Sequence, residues 1–167
     1  MIGVVKFHFL LFLISVSLSR NCNEFVEVGL WGQCYSIKYT VELNISGVGL
    51  IGSIPKDIAQ LVNLQIIDLS NNRLSGPIPK EIGELQNLKY IYLQDNLLTG
   101  SIPEEIGNLK SLTRLFLSNN ALSGKIPKTI KSLKNLEYLY LFKKNISGSI
   151  PKEIGELKKL FKLDLSS

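Results

Sequence analysis

The stretch LVNLQIIDLSNNRLSGPIPKEIGE, residues 61–84, decides the fold of this chain because three further copies follow it without a gap. Each copy is 24 residues long and follows the pattern L-x-x-L-x-x-L-x-L-x-x-N-x-L-x-G-x-I-P-x-x-I-G-x with few exceptions. A period of this length is typical of a solenoid, in which each repeat packs only on its neighbours. The copies are LQNLKYIYLQDNLLTGSIPEEIGN (85–108), LKSLTRLFLSNNALSGKIPKTIKS (109–132) and LKNLEYLYLFKKNISGSIPKEIGE (133–156).

A single repeat is too short to bury its own apolar side chains, so stacked repeats must share one core. Burial of one such side chain contributes about 1.5–3 kcal/mol, which has to exceed the cost of ordering a whole coil of backbone. Stability therefore depends on the number of stacked coils. In the copy at 85–108 the pattern predicts that the inward set is Leu85, Leu88, Ile91, Leu93, Leu98, Ile102 and Ile106.

Three elements of the repeat predict its backbone path. Alternation around Ile91 and Leu93 predicts one short strand per repeat, and stacking makes these strands a parallel sheet. The amides of Asn72, Asn96 and Asn120 follow the strands, where they can satisfy backbone groups at a buried bend. The Gly-x-Ile-Pro element permits an unusual glycine conformation and then an extended stretch before a short helical turn. It recurs at Gly52, Gly76, Gly100, Gly124 and Gly148, with Pro55, Pro79, Pro103, Pro127 and Pro151.

This repeat resembles the leucine-rich repeat of the plant receptor-like type, which has 24 residues and the Gly-x-Ile-Pro element. The resemblance implies an α/β leucine-rich repeat solenoid, or horseshoe, with a concave parallel β-sheet and short 3-10 or irregular helical turns on the convex side. It also implies an extracellular recognition module, a fragment of a receptor-like ectodomain, that binds a protein or peptide ligand through its concave face. Similar repeat proteins include secreted inhibitors of wall-degrading enzymes and polysaccharide-binding adhesins, which is the alternative function.

Residues 1–19 have the composition of a secretory signal peptide. Lys6 precedes an apolar run at 9–16, and the small residues Ser17 and Ser19 follow it. The run is too short to span a bilayer, so we expect no membrane span and an extracellular or cell-surface location. A buried N-terminal helix is the alternative. Cleavage would remove one of 19 basic residues and leave 18 against 14 acidic ones, a net charge of +4.

Residues 20–36 do not repeat and contain both cysteines, Cys22 and Cys34, around Trp31. In an exported chain this spacing indicates a disulfide, which would contribute about 3 kcal/mol by closing the loop. Two free buried thiols are the alternative. Leucine-rich repeat proteins of similar sequence carry a disulfide-bonded N-terminal cap over the first coil, although the usual cap is longer.

Residues 37–167 are predicted to form the repeats, and two of these lack the asparagine. Val48 replaces it in the first repeat, and Lys144 replaces it in 133–156, where we expect a coil weakened by about 1–3 kcal/mol. The last segment stops within a strand motif, so we expect further repeats or a partner to cover that end. The units are 37–60, 61–84, 85–108, 109–132, 133–156 and a partial repeat at 157–167.

The residue inventory argues against catalysis. Removal of residues 1–19 takes away His8, the only histidine, and both cysteines lie in the cap. The remaining chain lacks the usual general base and the commonest metal ligand, and it has no glycine-rich phosphate loop. We therefore expect no enzyme activity, no catalytic residue, no metal, no cofactor and no nucleic-acid partner.

The outward positions of the predicted strands carry most of the aromatic residues that follow the cap. Neighbouring strands lie about 4.8 Å apart, so these side chains should form a contiguous surface. Tyrosine and arginine are frequent in interface hot spots, which favours a binding surface. Alternatively, the rings only stabilise the sheet through cross-strand pairs. The predicted ligand-binding residues are Tyr90, Tyr92, Arg114, Phe116, Tyr138, Tyr140 and Phe142.

Lysines on the predicted convex side suggest a second kind of partner. They could attract an anionic polysaccharide, or they could serve only as a solubilising surface. They are Lys56, Lys80, Lys128, Lys131, Lys134, Lys152, Lys158 and Lys159.

Two triplets, Asn44-Ile45-Ser46 and Asn145-Ile146-Ser147, are acceptors for N-glycosylation in a eukaryotic secretory route. A glycan on Asn44 would cover the concave face of the first strand. Ligands would then be directed toward residues 90–142.

Overall fold

The chain forms a stack of coils, each with a strand on one side and a 3-10 helix on the other. The computed structural model describes residues 22–141 and 150–165. Its strands are β1 (Glu27–Leu30), β2 (Gln33–Ser36), β3 (Glu42–Asn44), β4 (Ile51–Gly52), β5 (Ile66–Asp68), β6 (Arg73–Gly76), β7 (Tyr90–Tyr92), β8 (Leu97–Gly100), β9 (Arg114–Phe116), β10 (Ala121–Leu122), β11 (Tyr138–Tyr140) and β12 (Lys162–Asp164). The 3-10 helices are Lys56–Gln60, Lys80–Glu84, Glu104–Asn108, Lys128–Ser132 and Lys152–Glu156.

The largest sheet is parallel and takes one strand from each coil, in the order β3-β5-β7-β9-β11-β12. Its register places equivalent residues of successive repeats side by side, so that Ile91 lies between Ile67 and Leu115. This arrangement confirms the predicted leucine-rich repeat solenoid, with the parallel sheet on the concave side and short 3-10 helices on the convex side.

The apolar positions of the repeat form one continuous core. Every member of the inward set predicted for residues 85–108 is buried, and the most exposed of them, Ile102, retains only 5% of its accessible surface. The same cluster runs from Val28 in the cap to Leu157 in the last coil. Each interior coil is thus covered on both sides by the leucines and isoleucines of its neighbours, and the cap covers the first.

Buried asparagines join each coil to the one before it. The Asn96 amide donates to the carbonyl oxygen of Leu69 in the preceding coil (2.9 Å), and its Oδ1 accepts from the backbone N–H of Leu74 (3.0 Å). Asn72 and Asn120 make the equivalent contacts. The predicted role of these amides is confirmed, and the structure adds that each of them bonds both the preceding coil and carbonyl oxygens of its own coil, as Asn96 does with Leu93 and Gln94.

A second parallel sheet, with the order β4-β6-β8-β10, follows the asparagines and was not predicted. These strands contain a single buried leucine each at most, so they lack the alternation that indicates a strand. They end at or near the glycine of Gly-x-Ile-Pro, which adopts a left-handed conformation with φ of 76° at Gly76 and 74° at Gly100. The predicted glycine conformation is confirmed.

The convex side packs backbone against backbone. Proline precedes each 3-10 helix in an extended conformation, with φ −66° and ψ 135° at Pro79, as predicted. One turn later, a Cβ placed on Gly83 would lie 2.5 Å from the carbonyl oxygen of Glu105. A Cβ on Gly107 would lie 2.5 Å from the Cβ of Thr129. At these two positions only glycine allows successive helices to approach so closely.

The cap is an antiparallel hairpin of β1 and β2 over the first coil. Its Val28 and Leu30 are buried in the common core. The Cys22–Cys34 disulfide is present, with the two Cα atoms 5.5 Å apart, which confirms the predicted pairing over the alternative of free thiols.

Several predictions fall outside the described residues. These are the signal peptide at 1–19 and the positions Phe142, Lys144, Asn145 and Gly148. The domain boundaries also stay predictions. Within 22–141 and 150–165, none of the helices has the length and apolar character needed to cross a bilayer.

We expect the Asn96→Ala substitution to lower the free energy of unfolding by about 2–4 kcal/mol, because it leaves the buried Leu74 N–H without its acceptor and removes one of the two amide hydrogen bonds to the Leu69 carbonyl. Urea denaturation measures this loss. Asn87→Ala is the matched control, since the exposed Asn87 amide makes one inter-coil bond, to Val62. Equal losses for the two variants would contradict the role assigned to the buried amide.

We expect Gly107→Ala to destabilise the protein by about 1–3 kcal/mol, because its methyl group would force two convex turns apart. Gly155→Ala is the control: a Cβ there meets no atom within 4 Å, so stability should stay the same or rise by about 0.4–1 kcal/mol. Thermal and urea unfolding of the two variants measure the difference. A neutral Gly107→Ala would show that the convex packing is loose.

Candidate functional site

Three rings on adjacent concave strands form a contiguous row, here called the aromatic ladder: Tyr92, Phe116 and Tyr140. Each occupies the outward position between two core residues of its strand, and the parallel register places them side by side. The Tyr92 and Phe116 ring centroids are 5.1 Å apart in an edge-to-face arrangement, and those of Phe116 and Tyr140 are 4.4 Å apart. All three side chains are half-buried, and their free surface faces the concave side.

Beside the ladder, Arg114 lies between two tyrosines of the neighbouring strands. Its guanidinium carbon is 5.1 Å from the Tyr90 ring centroid and 5.3 Å from that of Tyr138. Its Nη1 donates a hydrogen bond to Tyr92 Oη at 3.2 Å. This hydrogen bond raises the pKa of Arg114 above its usual value, so the side chain stays charged. The structure therefore brings together six of the seven predicted binding residues.

Two further residues extend the surface beyond the prediction. Phe161 is 78% exposed and packs edge-on against Tyr138, with centroids 5.7 Å apart. The Lys162 ammonium lies 5.3 Å from the centroid of Tyr140, and its hydrogen bond to Tyr140 raises the pKa of the lysine. Strict strand alternation would turn Phe161 inward, but two residues separate Leu160 from Leu163, and both face outward. The spacing of these two leucines is the sequence feature from which the exposure of Phe161 could have been predicted.

Polar groups border the ladder on its N-terminal side. Asp68 Oδ1 accepts hydrogen bonds from the hydroxyl and N–H of Ser70, and Asn44 Oδ1 does the same for Ser46. In the coil of Phe116 no such acceptor is present, and the buried Ser118 hydroxyl has no partner in the described part of the chain. The surface therefore changes from hydrogen-bonding to aromatic character along the sheet.

The side chains of this surface are mainly aromatic, with Arg114 among them. In the described ranges, no three histidine, cysteine, aspartate or glutamate side chains are grouped as a metal site would require. The ring contacts also agree with the alternative of a sheet stabilised by cross-strand pairs, since each pair is worth about 0.5–1.5 kcal/mol. Stabilisation of the sheet does not require the rings to stay half-exposed or Arg114 to be exposed.

Three of the lysines on the convex side contact other groups of the protein. Lys134 forms a salt bridge with Glu156 at 3.3 Å, and Lys159 donates to Asn135 Oδ1 at 2.7 Å. Lys158 donates to the carbonyl oxygen of Gly155. These contacts favour a structural and solubilising role for this group of lysines.

The acceptor triplet at Asn44 is accessible. Asn44 is exposed at the end of the first concave strand, and the Ser46 hydroxyl donates to its Oδ1 at 3.0 Å. Glycosylation of Asn44 stays a prediction.

Two protein families match this chain. Residues 80–167 match the family described as "Leucine-rich repeat region", and residues 40–98 match "Leucine rich repeat". No curated protein sequence matches it.

Solved structures of plant receptor ectodomains have the same coil. A TDR receptor is 46% identical with a TM-score of 0.70, over 71% of this chain and 21% of that one. The Arabidopsis receptor kinase HAESA, in complex with the peptide hormone IDA and the co-receptor SERK1, is 38% identical with a TM-score of 0.72. The match covers 75% of this chain and 21% of the HAESA chain. The BIR2 ectodomain from Arabidopsis thaliana is 37% identical with a TM-score of 0.64, over 66% and 58%.

The first two matches are much larger than this chain, which spans about a fifth of their length. The two family models together nevertheless cover residues 40–167 of this chain. The chain thus belongs to the leucine-rich repeat family, and it is a plant receptor-like member of it.

Proposed function

We propose that this chain is an extracellular recognition module, part of a receptor-like ectodomain, that binds a peptide or protein on its concave face. The binding residues would be those of the aromatic ladder with Tyr90, Arg114, Tyr138 and Phe142. The observation that carries the proposal is the contiguous, half-exposed ring surface around Arg114.

The matched structures support a peptide or protein ligand over the alternatives. HAESA is seen with a peptide hormone and a co-receptor, and RGFR1 is a plant peptide hormone receptor in complex with RGF2. They lend no support to a polysaccharide partner. This chain covers about a fifth of the length of those receptors.

The physical argument concerns what the rings are free to do. Large amphipathic side chains with few rotatable bonds lose little entropy on binding, which makes tyrosine effective at interfaces. The ladder rings are already ordered by one another, so a ligand would find a preformed surface. A bound peptide would cover the ring surfaces that contact water in the free protein.

We propose in addition that the chain enters the secretory route through residues 1–19 and is N-glycosylated at Asn44. In plant cells, the secreted full-length chain should shift to lower apparent mass after deglycosylation by an amidase. Asn44→Gln should remove the part of the shift due to that site, and Asn145→Gln serves as the matched comparison. An unmodified Asn44 in peptide mass spectra of secreted protein would contradict this proposal.

Binding can be tested by selection from a displayed library of random 12-residue peptides. We expect the wild-type chain to enrich specific peptides, and we expect Tyr92→Ala combined with Tyr140→Ala to abolish their binding. The reason is that the double substitution removes both ends of the ladder while leaving the leucine core intact.

The melting temperature separates this function from sheet stabilisation. The double variant loses three ring contacts, each worth about 0.5–1.5 kcal/mol, and the hydrogen bond from Arg114 to Tyr92, so its melting temperature should fall by several degrees while the leucine core stays folded. Tyr39→Ala, at an exposed ring of the first repeat just before β3, is the control and should bind normally. A large fall in melting temperature together with retained binding would favour the sheet-stabilising role.

A further inference from the structure

Two buried polar atoms follow the rings of the aromatic ladder in successive coils. They are Oε1 of Gln94 and Oγ of Ser118, and neither has a hydrogen-bond partner within residues 22–141 and 150–165. Ser118 retains only 6% of its accessible surface. Buried polar groups in folded proteins are almost always hydrogen-bonded, so an unpaired hydroxyl beside an unpaired amide oxygen requires an explanation.

The two residues occupy the same position in neighbouring coils, each two places after a ladder ring. Gln94 follows Tyr92, and Ser118 follows Phe116. The N–H group of Asp95, the residue after Gln94, donates to the carbonyl oxygen of Ser118 at 3.0 Å, so the two coils are in direct contact at this point. The unpaired atoms therefore belong to one region of the sheet, next to the rings.

The two preceding coils show how this position is otherwise satisfied. In them the Ser70 hydroxyl donates to Asp68 Oδ1 at 2.7 Å, and the Ser46 hydroxyl donates to Asn44 Oδ1 at 3.0 Å. Each acceptor lies two residues earlier, at an outward position of the concave sheet. A side chain at this position of the repeat can thus reach the concave face. Where a ring replaces the acceptor, as at Phe116, the hydroxyl that follows loses its bond.

The two atoms offer complementary hydrogen-bonding chemistry. A serine hydroxyl can donate one hydrogen bond, whereas an amide oxygen can only accept. An ionised carboxylate has no donor and would leave the oxygen of Gln94 unpaired. An amide has a carbonyl oxygen for the hydroxyl of Ser118 and an N–H for Gln94, so it can satisfy both atoms at once.

We infer that Gln94 and Ser118 form a polar subsite for an amide group of the bound peptide, whose carbonyl oxygen accepts from Ser118 and whose N–H donates to Gln94. This inference rests on the proposed peptide-binding function. Both atoms are covered in the free protein, so the amide reaches them when a neighbouring side chain rotates, which is a common change at interfaces. The amide can come from the peptide main chain or from an asparagine or glutamine side chain.

The first test compares stability with affinity, using peptides that the wild-type chain selects from a displayed library. Ser118→Ala removes a buried hydroxyl that has no partner in the described ranges, so the melting temperature should stay the same or rise. It should nevertheless weaken peptide binding about tenfold, because the peptide carbonyl loses its donor. Ser70→Ala is the matched control. It breaks the bond to Asp68, so its melting temperature should fall while its affinity for the peptide stays unchanged.

The second test identifies the amide. Each main-chain amide of a selected peptide is replaced in turn by an ester, which has no N–H and is a weaker acceptor, and each asparagine or glutamine is replaced by leucine. We expect one replacement to weaken binding to the wild type about tenfold and to have little effect on binding to the double variant Gln94→Met with Ser118→Ala. Sensitivity to an ester would assign the subsite to the peptide main chain, and sensitivity to leucine would assign it to a side-chain amide.

The outcomes separate the two proposals. A lower melting temperature for Ser118→Ala would show that its hydroxyl is already bonded in the free protein and would overturn the inference. Peptides that require Tyr92 and Tyr140 but bind Ser118→Ala and Gln94→Met as tightly as the wild type would also overturn it, and would leave the peptide-binding function standing. Failure of the wild type to select any peptide would contradict both proposals. Circular dichroism of each variant establishes that a loss of binding does not reflect unfolding.

Discussion

The structure depends on a constraint that no coil can meet alone: its buried groups need partners in a neighbouring coil as well as in their own. The leucines and isoleucines meet it by packing, and the asparagines meet it by hydrogen bonding across coils, as Asn96 does with Leu69 and Leu74. A buried amide without those partners would cost more than the bond is worth when formed. The strict 24-residue spacing follows from this requirement, because any shift would move the amide away from its acceptors.

The same spacing creates the concave surface. Since the register places equivalent positions side by side, three aromatic choices in successive repeats become one row of touching rings. The outward positions carry no structural requirement comparable to the asparagine, so they are free to differ between repeats. In this chain they change from hydrogen-bonding groups at Asn44 and Asp68 to rings at Tyr92 and Phe116. A binding surface can thus be altered one coil at a time without a change in the core.

Much of the fold could be predicted because the periodic pattern encodes it directly. The inward set, the asparagine bonds, the left-handed glycines and the Cys22–Cys34 disulfide all follow from residue type and spacing. The sheet of β4, β6, β8 and β10 could not be predicted in this way. Its strands pair because their backbones lie close together after the bend, and this leaves no alternation of apolar and polar residues in the sequence.

For the candidate site, the row of rings could be predicted but its details could not. Position in the repeat is sufficient to place Tyr92, Phe116 and Tyr140 on one face. The approach of the Arg114 guanidinium to two rings and the contact of Phe161 with Tyr138 depend on side-chain torsions and on the bend before the strand. The spacing of the repeat does not specify either of these.

The glycines of the convex side also determine the shape of the molecule. On the inner side, hydrogen bonding fixes the distance between strands at about 4.8 Å, whatever the side chains are. On the outer side, the distance between successive 3-10 helices depends on the side chain at one position of each repeat. Gly83 and Gly107 have no side chain at that position, and the next coil has a lysine there, Lys131. The difference between inner and outer spacing sets the radius of curvature, so a single position in each repeat acts as the spacer that determines how far the horseshoe opens.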